Sequence, residues 1–188
     1  MSKPQDIRIR TTQKMITKAL IDLMKKEAFA KITVIDICTQ AQIHRTTFYK
    51  HFEDKYQLLE FTLLDIEQKF DDFFPAYDAA MSDIKSYYLN AFRSILEFIS
   101  QENDFFLNGI FYQENNYVNQ VFEKTVSSYL IKRLENDSTH YNVHFDVPIH
   151  IISLYYTGAL ISLTKWWLLN HQPVDINTLV SYFERIDN

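Results

Sequence analysis

Residues 32–60 read ITVIDICTQAQIHRTTFYKHFEDKYQLLE, and the spacing of their apolar positions decides the fold. Val34, Ile37, Cys38 and Ala41 fall at i, i+3, i+4 and i+7, one face of a short helix. Thr33 stands just before it, with Asp36 three residues on. That is a capping-box pattern, in which a hydroxyl takes an orphan N–H and a carboxylate reaches back. Gln42-Ile43-His44 interrupts the helix, and a second short one over about 45–51 places Phe48 and Phe52 four apart and inward. Asp54-Lys55-Tyr56-Gln57 reads as another capping box, opening a longer helix toward Pro75. Upstream, residues 8–27 carry Met15, Ile16, Ala19, Leu20, Leu23 and Met24 on one stripe of an amphipathic helix.

A long helix followed by two short ones, with a tight three-residue break between the short pair, is the geometry of a helix-turn-helix over 33–52. Its second short helix lies in the major groove while the first buttresses it. The side chains suit that task. Arg45 and Lys50 can neutralise phosphate or reach base edges; Thr46 and Thr47 can donate, accept or pack a methyl on thymine; His44, Tyr49 and His51 offer polar tips. Lys55 adds charge where the next helix begins, a plausible place for a phosphate, and Thr33 holds the matching position on the buttress helix. Phe48, Phe52, Leu58 and Leu59 are core positions.

The charge distribution agrees. Net charge is −5, but residues 1–60 carry eleven Lys+Arg against seven Asp+Glu, leaving eight basic against seventeen acidic in the remainder. A basic head on an acidic body fits a protein whose head alone meets phosphate. Two glycines and four prolines are too few turn formers for a β-sandwich, so the fold class is all-α. The single Cys38 excludes an intrachain disulfide and a cysteine-built zinc site, and its inward position makes it a small hydrophobe. The polar start MSKPQDIRIRTTQK lacks the apolar core of a secretory signal, which makes the cytoplasm the expected compartment.

Further helices are predicted over about 83–101, 104–112, 115–135, 148–170 and 174–187, giving about nine in all, with Pro148 as the first residue of its helix. Asn136 to Val147, rich in Asp, Ser, Thr, Asn and His, is the predicted loop. His140 and His144 are four apart but fall in that loop and have no HExxH or cysteine partner, so no metal is expected. No cofactor loop, nucleophile elbow or other catalytic signature occurs, which argues against an enzyme. Residues 92–129 are unusually aromatic. Phe92, Phe105, Phe106, Phe111, Tyr112 and Phe122 are candidates to line a pocket for a small apolar or aromatic effector, although each alone reads equally as plain core. Ile151 to Leu169 has one charge, Lys165, in 19 residues. A membrane span and a buried interface helix both fit, and the interrupting Ser153, Thr157, Ser162 and Thr164 favour the interface.

The run at 32–60 resembles the N-terminal domain of TetR-type regulators. The match includes the Phe48-Tyr49 pair, the His51-Phe52 pair and the Lys55-x-x-Leu58 spacing. With the leading helix it covers about the first third of the chain. Three positions depart from the family pattern: Ala28 stands at a corner usually glycine, Gln42 in a turn usually glycine, and His44 where Ser or Asn usually caps the recognition helix. The resemblance implies a three-helix DNA-binding domain over 7–67 and a sensing and dimerisation domain over 68–188. The last two helices would form a four-helix homodimer interface. It further implies a repressor that binds double-stranded DNA at a palindromic operator, without membrane attachment. The alternative is a helical co-regulator, adaptor or activator that works mainly through a protein partner.

Overall fold

The computed structural model describes residues 4–70, 84–112, 116–141 and 143–186, all of them helix or connection, with no strand among them. Helix α1 spans Pro4–Met24, α2 Val34–Gln40, α3 Arg45–Phe48, α4 Lys55–Phe70 and α5 Ile84–Gln101. A π-helix over Phe105–Phe111 follows, then α6 Asn116–His140, α7 Ile149–Leu169 and α8 Ile176–Ile186. The predicted all-α architecture is therefore what the chain adopts. Pro75 and Asp83, where the sequence pattern ends one helix and begins the next, lie outside the described residues, as do Asn115 and Asp187.

Two compact units make up the chain. The first joins Met1–Asp65 with Asp104–Val121, and the second joins Ile66–Asn103 with Phe122–Asn188. In the first, Ile16, Leu20 and Met24 of α1 are fully buried together with Phe29, Ile32, Ile37 and Phe48. The π-helix adds Phe105, Phe106 and Ile110 to that core. Gly109 sits tightly there: a Cβ on it would stand 3.2 Å from both Met24 Cβ and Phe105 Cδ2. Asn108 Nδ2 donates to the Lys25 carbonyl at 2.9 Å, closing one of the open acceptors at the end of α1.

The second unit buries Phe92, Leu96 and Ile99 of α5, Trp167 and Leu168 of α7, and Leu179 and Val180 of α8. Phe92 meets Phe183 at 5.1 Å between ring centroids. Here one expectation is corrected. The predicted loop at 136–147 begins only after His140, because α6 continues through five of its polar residues. Asp137 is fully buried and accepts from Tyr88 Oη at 2.7 Å and Arg133 Nε at 3.2 Å. A carboxylate satisfied from a neighbouring helix and from its own preceding turn keeps the helix going where composition alone predicts coil. Thr139 and His140 bond back to the carbonyls of Glu135 and Asn136. His140 therefore ends a helix while His144 lies in the connection beyond it.

The other boundary differences are small. Pro148 caps α7 rather than starting it. Within the helix predicted over 104–112, Phe105–Phe111 winds as a π-helix, a form often found at functional sites.

Candidate nucleic-acid interface

The capping box at Thr33 forms as the sequence implies. Asp36 N–H donates to Thr33 Oγ1 at 3.2 Å, and Thr33 N–H donates to Asp36 Oδ2 at 2.9 Å. Thr33 Oγ1 also donates to the same carboxylate at 2.6 Å. These hydrogen bonds, the hydroxyl's first, hold the Asp36 carboxyl below its usual pKa. The hydroxyl of Thr33 is thus engaged in starting α2.

Helix α2 ends in a Schellman turn. Ile43 N–H donates to the Cys38 carbonyl at 3.0 Å and Gln42 N–H to that of Thr39 at 3.2 Å. Gln42 takes φ 55°, the left-handed conformation that the missing glycine would adopt without strain. Ala28, the other departure from glycine, is not among the residues with positive φ. That corner accommodates its Cβ. His44 occupies the N-cap of α3 in an extended conformation, without a side-chain bond to the helix.

Helix α3 itself is a single turn, and hydrogen-bonded turns carry the segment on to Phe52. Phe48 and Phe52 are buried, the latter edge-on to Phe61 at 5.3 Å. Opposite them His44, Arg45, Thr46, Tyr49 and Lys50 are exposed, while Thr47 and His51 are half-buried. The Arg45 guanidinium lies 6.0 Å from the Tyr49 ring centroid. Apolar residues anchor this segment from beneath, and a continuous polar edge faces outward.

Lys55, expected from the sequence as a phosphate ligand, has its ammonium engaged within the protein. Its Nζ donates to the carbonyls of Phe29 at 2.9 Å, Ala30 at 3.1 Å and Ile32 at 2.7 Å. An ammonium has three N–H donors, and all three are used. The rings of Phe29 and Tyr56 lie 4.7 and 5.5 Å away, and burial pulls the lysine pKa below its ordinary value. The sequence held a signal for this. A cation in the first turn of a helix opposes the helix dipole, so its charge calls for another partner. The expected capping box at this helix is also shifted. Asp54 Oδ1 accepts from the N–H groups of Tyr56 and Gln57, but Gln57 Oε1 reaches the N–H of Glu53 rather than of Asp54.

Tyr117 belongs to the same unit and was not singled out by sequence reading. Its hydroxyl donates to Glu60 at 2.9 Å and its ring meets Tyr56 edge-on at 5.1 Å. Burial and the Glu60 carboxylate push its pKa up to about 12. No local pattern marks it, because both partners lie more than fifty residues away in sequence.

The six aromatics proposed for a ligand pocket divide between the units. Phe105, Phe106, Phe111 and Tyr112 fall in the first, and Phe92 and Phe122 in the second. All are buried except Tyr112, which is exposed. Among the described residues no helix is long and apolar enough to cross a membrane, and no group of three or more metal-ligating side chains occurs.

Comparison with known proteins bears on this geometry directly. The HTH-type dhaKLM operon transcriptional activator DhaS of Lactococcus lactis is 27% identical over 159 residues, 82% of this chain and 78% of that protein. A TetR transcriptional regulator from Streptococcus agalactiae shares the fold with a TM-score of 0.66 at 24% identity, covering 97% of this chain and 96% of its own. FadR from Bacillus subtilis, solved in complex with stearoyl-CoA, does so with a TM-score of 0.64 at 15% identity, covering 89% and 95%. The family description "Bacterial regulatory proteins, tetR family" matches residues 16–61, and "Transcriptional regulator C-terminal region" of the same family matches 86–187. With its outward-facing recognition segment inside the first match and more than half its length inside the second, this chain belongs to the TetR family of DNA-binding transcriptional regulators.

Proposed function

We propose that this regulator acts in the cytoplasm as a homodimer, by binding alone and without a catalytic step. Two recognition segments enter successive major grooves, about 34–36 Å apart, on a palindromic operator. The observation that carries the DNA-contact assignment is the outward edge of His44, Arg45, Thr46, Tyr49 and Lys50 above the buried Phe48 and Phe52. Thr47 and His51 flank it, and Thr33 contributes through the start of α2 rather than through a free hydroxyl.

The polarity of α7 supports the dimer. Its buried side carries Ser153, Thr157 and Thr164 beside Trp167 and Leu168, whereas Ile151, Leu154, Tyr155 and Trp166 are exposed. A Cβ on Gly158, on that outer stripe, would meet nothing within 4 Å. A helix that turns a stripe of large apolar side chains outward is placed for a partner surface.

An effector with a small apolar or aromatic body would act on the second unit by favouring one arrangement of the two heads. The stearoyl-CoA held by FadR gives a precedent within the fold. On balance we read the chain as a repressor that such an effector releases. The 27% identity to a protein named an activator favours a second reading, in which binding raises transcription.

Two experiments test these assignments. Arg45→Ala and Lys50→Ala should each flatten the slope of log K against log salt by about 0.9 for every phosphate left without its cation. Unchanged slopes would take both residues off the DNA. Deleting the gene and measuring transcription from the adjacent promoter separates the two directions: a rise means repression, a fall activation.

A further inference from the structure

The carbonyls that hold Lys55, those of Phe29, Ala30 and Ile32, immediately precede Thr33, the N-cap of α2. On the other side, Phe52 closes the recognition segment three residues before Lys55. One ammonium therefore fastens the two ends of the helix-turn-helix to each other. The 2.7 Å bond from Nζ to the Ile32 carbonyl spans 23 residues of chain, and everything that reads DNA lies within that span. The rings of Phe29 and Tyr56 close over the same ammonium.

We propose that Lys55 is a positioning residue for DNA recognition: it fixes the angle at which residues 44–51 leave the head, and so governs sequence discrimination without touching DNA. This rests on the reading of residues 44–51 as the contact set. Geometry separates the role from that of a phosphate ligand. Arginine serves a phosphate as well as lysine does, or better, through its planar fork. The same fork cannot aim three N–H groups at three carbonyls converging on one point. Lysine can, because its three donors radiate from a single atom.

The test uses the full-length protein, a duplex that the wild type selects from a random pool, and a scrambled duplex of equal length. Anisotropy is read at several salt concentrations. Lys55→Arg should keep the salt slope and bind the scrambled duplex within about twofold of wild type. Its ratio of selected to scrambled affinity should fall about tenfold or more, within the range over which specific exceeds non-specific binding. An Arg variant that keeps the full ratio overturns the proposal.

A second measurement needs no variant. In the wild type, the ¹⁵Nζ resonance of Lys55 should be protected from exchange in the free protein and unmoved when the selected duplex is added. A resonance that shifts on binding, as a phosphate contact would make it, also overturns the proposal. Lys50→Ala, run alongside, keeps the two failures apart. If it leaves the salt slope untouched the contact assignment falls, whereas Lys55 is judged by its own resonance and by the arginine ratio.

Discussion

Gln42 and Asp36 show, residue by residue, where this helix-turn-helix is strained and where it is secured. At Gln42 the turn requires a left-handed backbone, and a side chain there costs about 1 kcal/mol relative to glycine. Gln42→Gly is therefore expected to stabilise the protein by up to about 1 kcal/mol, seen as a Tm higher by roughly 2–4 °C. A lower Tm would mean that the glutamine side chain makes a compensating contact. Asp36 is the opposite case. Its carboxyl pKa is lowered in the fold, so the capping contribution is present above about pH 3.8 and is lost as pH falls through the lowered value. Urea midpoints of wild type and Asp36→Asn should differ by a constant gap from pH 7 to pH 5, and the gap should close under more acid conditions. A gap that persists undiminished would mean that packing, not charge, carries the effect.

Elements were legible wherever their own sequence determined them. The spacing of Val34, Ile37, Cys38 and Ala41 fixed α2, Thr33 and Asp36 fixed its start, and Phe48 with Phe52 fixed the inner face of the recognition segment. Illegible were the features made by distant partners. Asp137 extends α6 because Tyr88, 49 residues away, donates to it. Lys55 reaches the carbonyls of Phe29, Ala30 and Ile32 for the same kind of reason. The π-helix is a third instance, for nothing in FFLNGIF announces that its glycine packs closely against Met24. Met24 Cβ is fixed to the α1 backbone and cannot swing aside. Gly109→Leu is expected to destabilise the protein by about 1–3 kcal/mol through overpacking, read from the urea midpoint. A neutral result would show that the π-helix can lift from α1 at no cost.

For the whole molecule, the features that the proposed function uses fall in different compact units. One carries the recognition segment, and the other carries an outward apolar stripe on α7. If the proposed dimer pairs through this stripe, Leu154→Glu combined with Trp166→Glu should yield monomers in sedimentation, because the two charges would be buried against a partner. Operator affinity should then fall by about a hundredfold or more, since each head would bind without the bivalent advantage. A double variant that still sediments as a dimer would move the interface elsewhere. The DNA-contact assignment underlies everything else, and a single titration probes it. Purified wild-type protein is titrated with its selected duplex and with a scrambled one, from low to moderate salt. The expected result is tighter binding to the selected duplex, with log K falling linearly as log salt rises. Indifference to both duplexes even at low salt, or binding that salt leaves unchanged, would contradict the assignment of residues 44–51 to DNA.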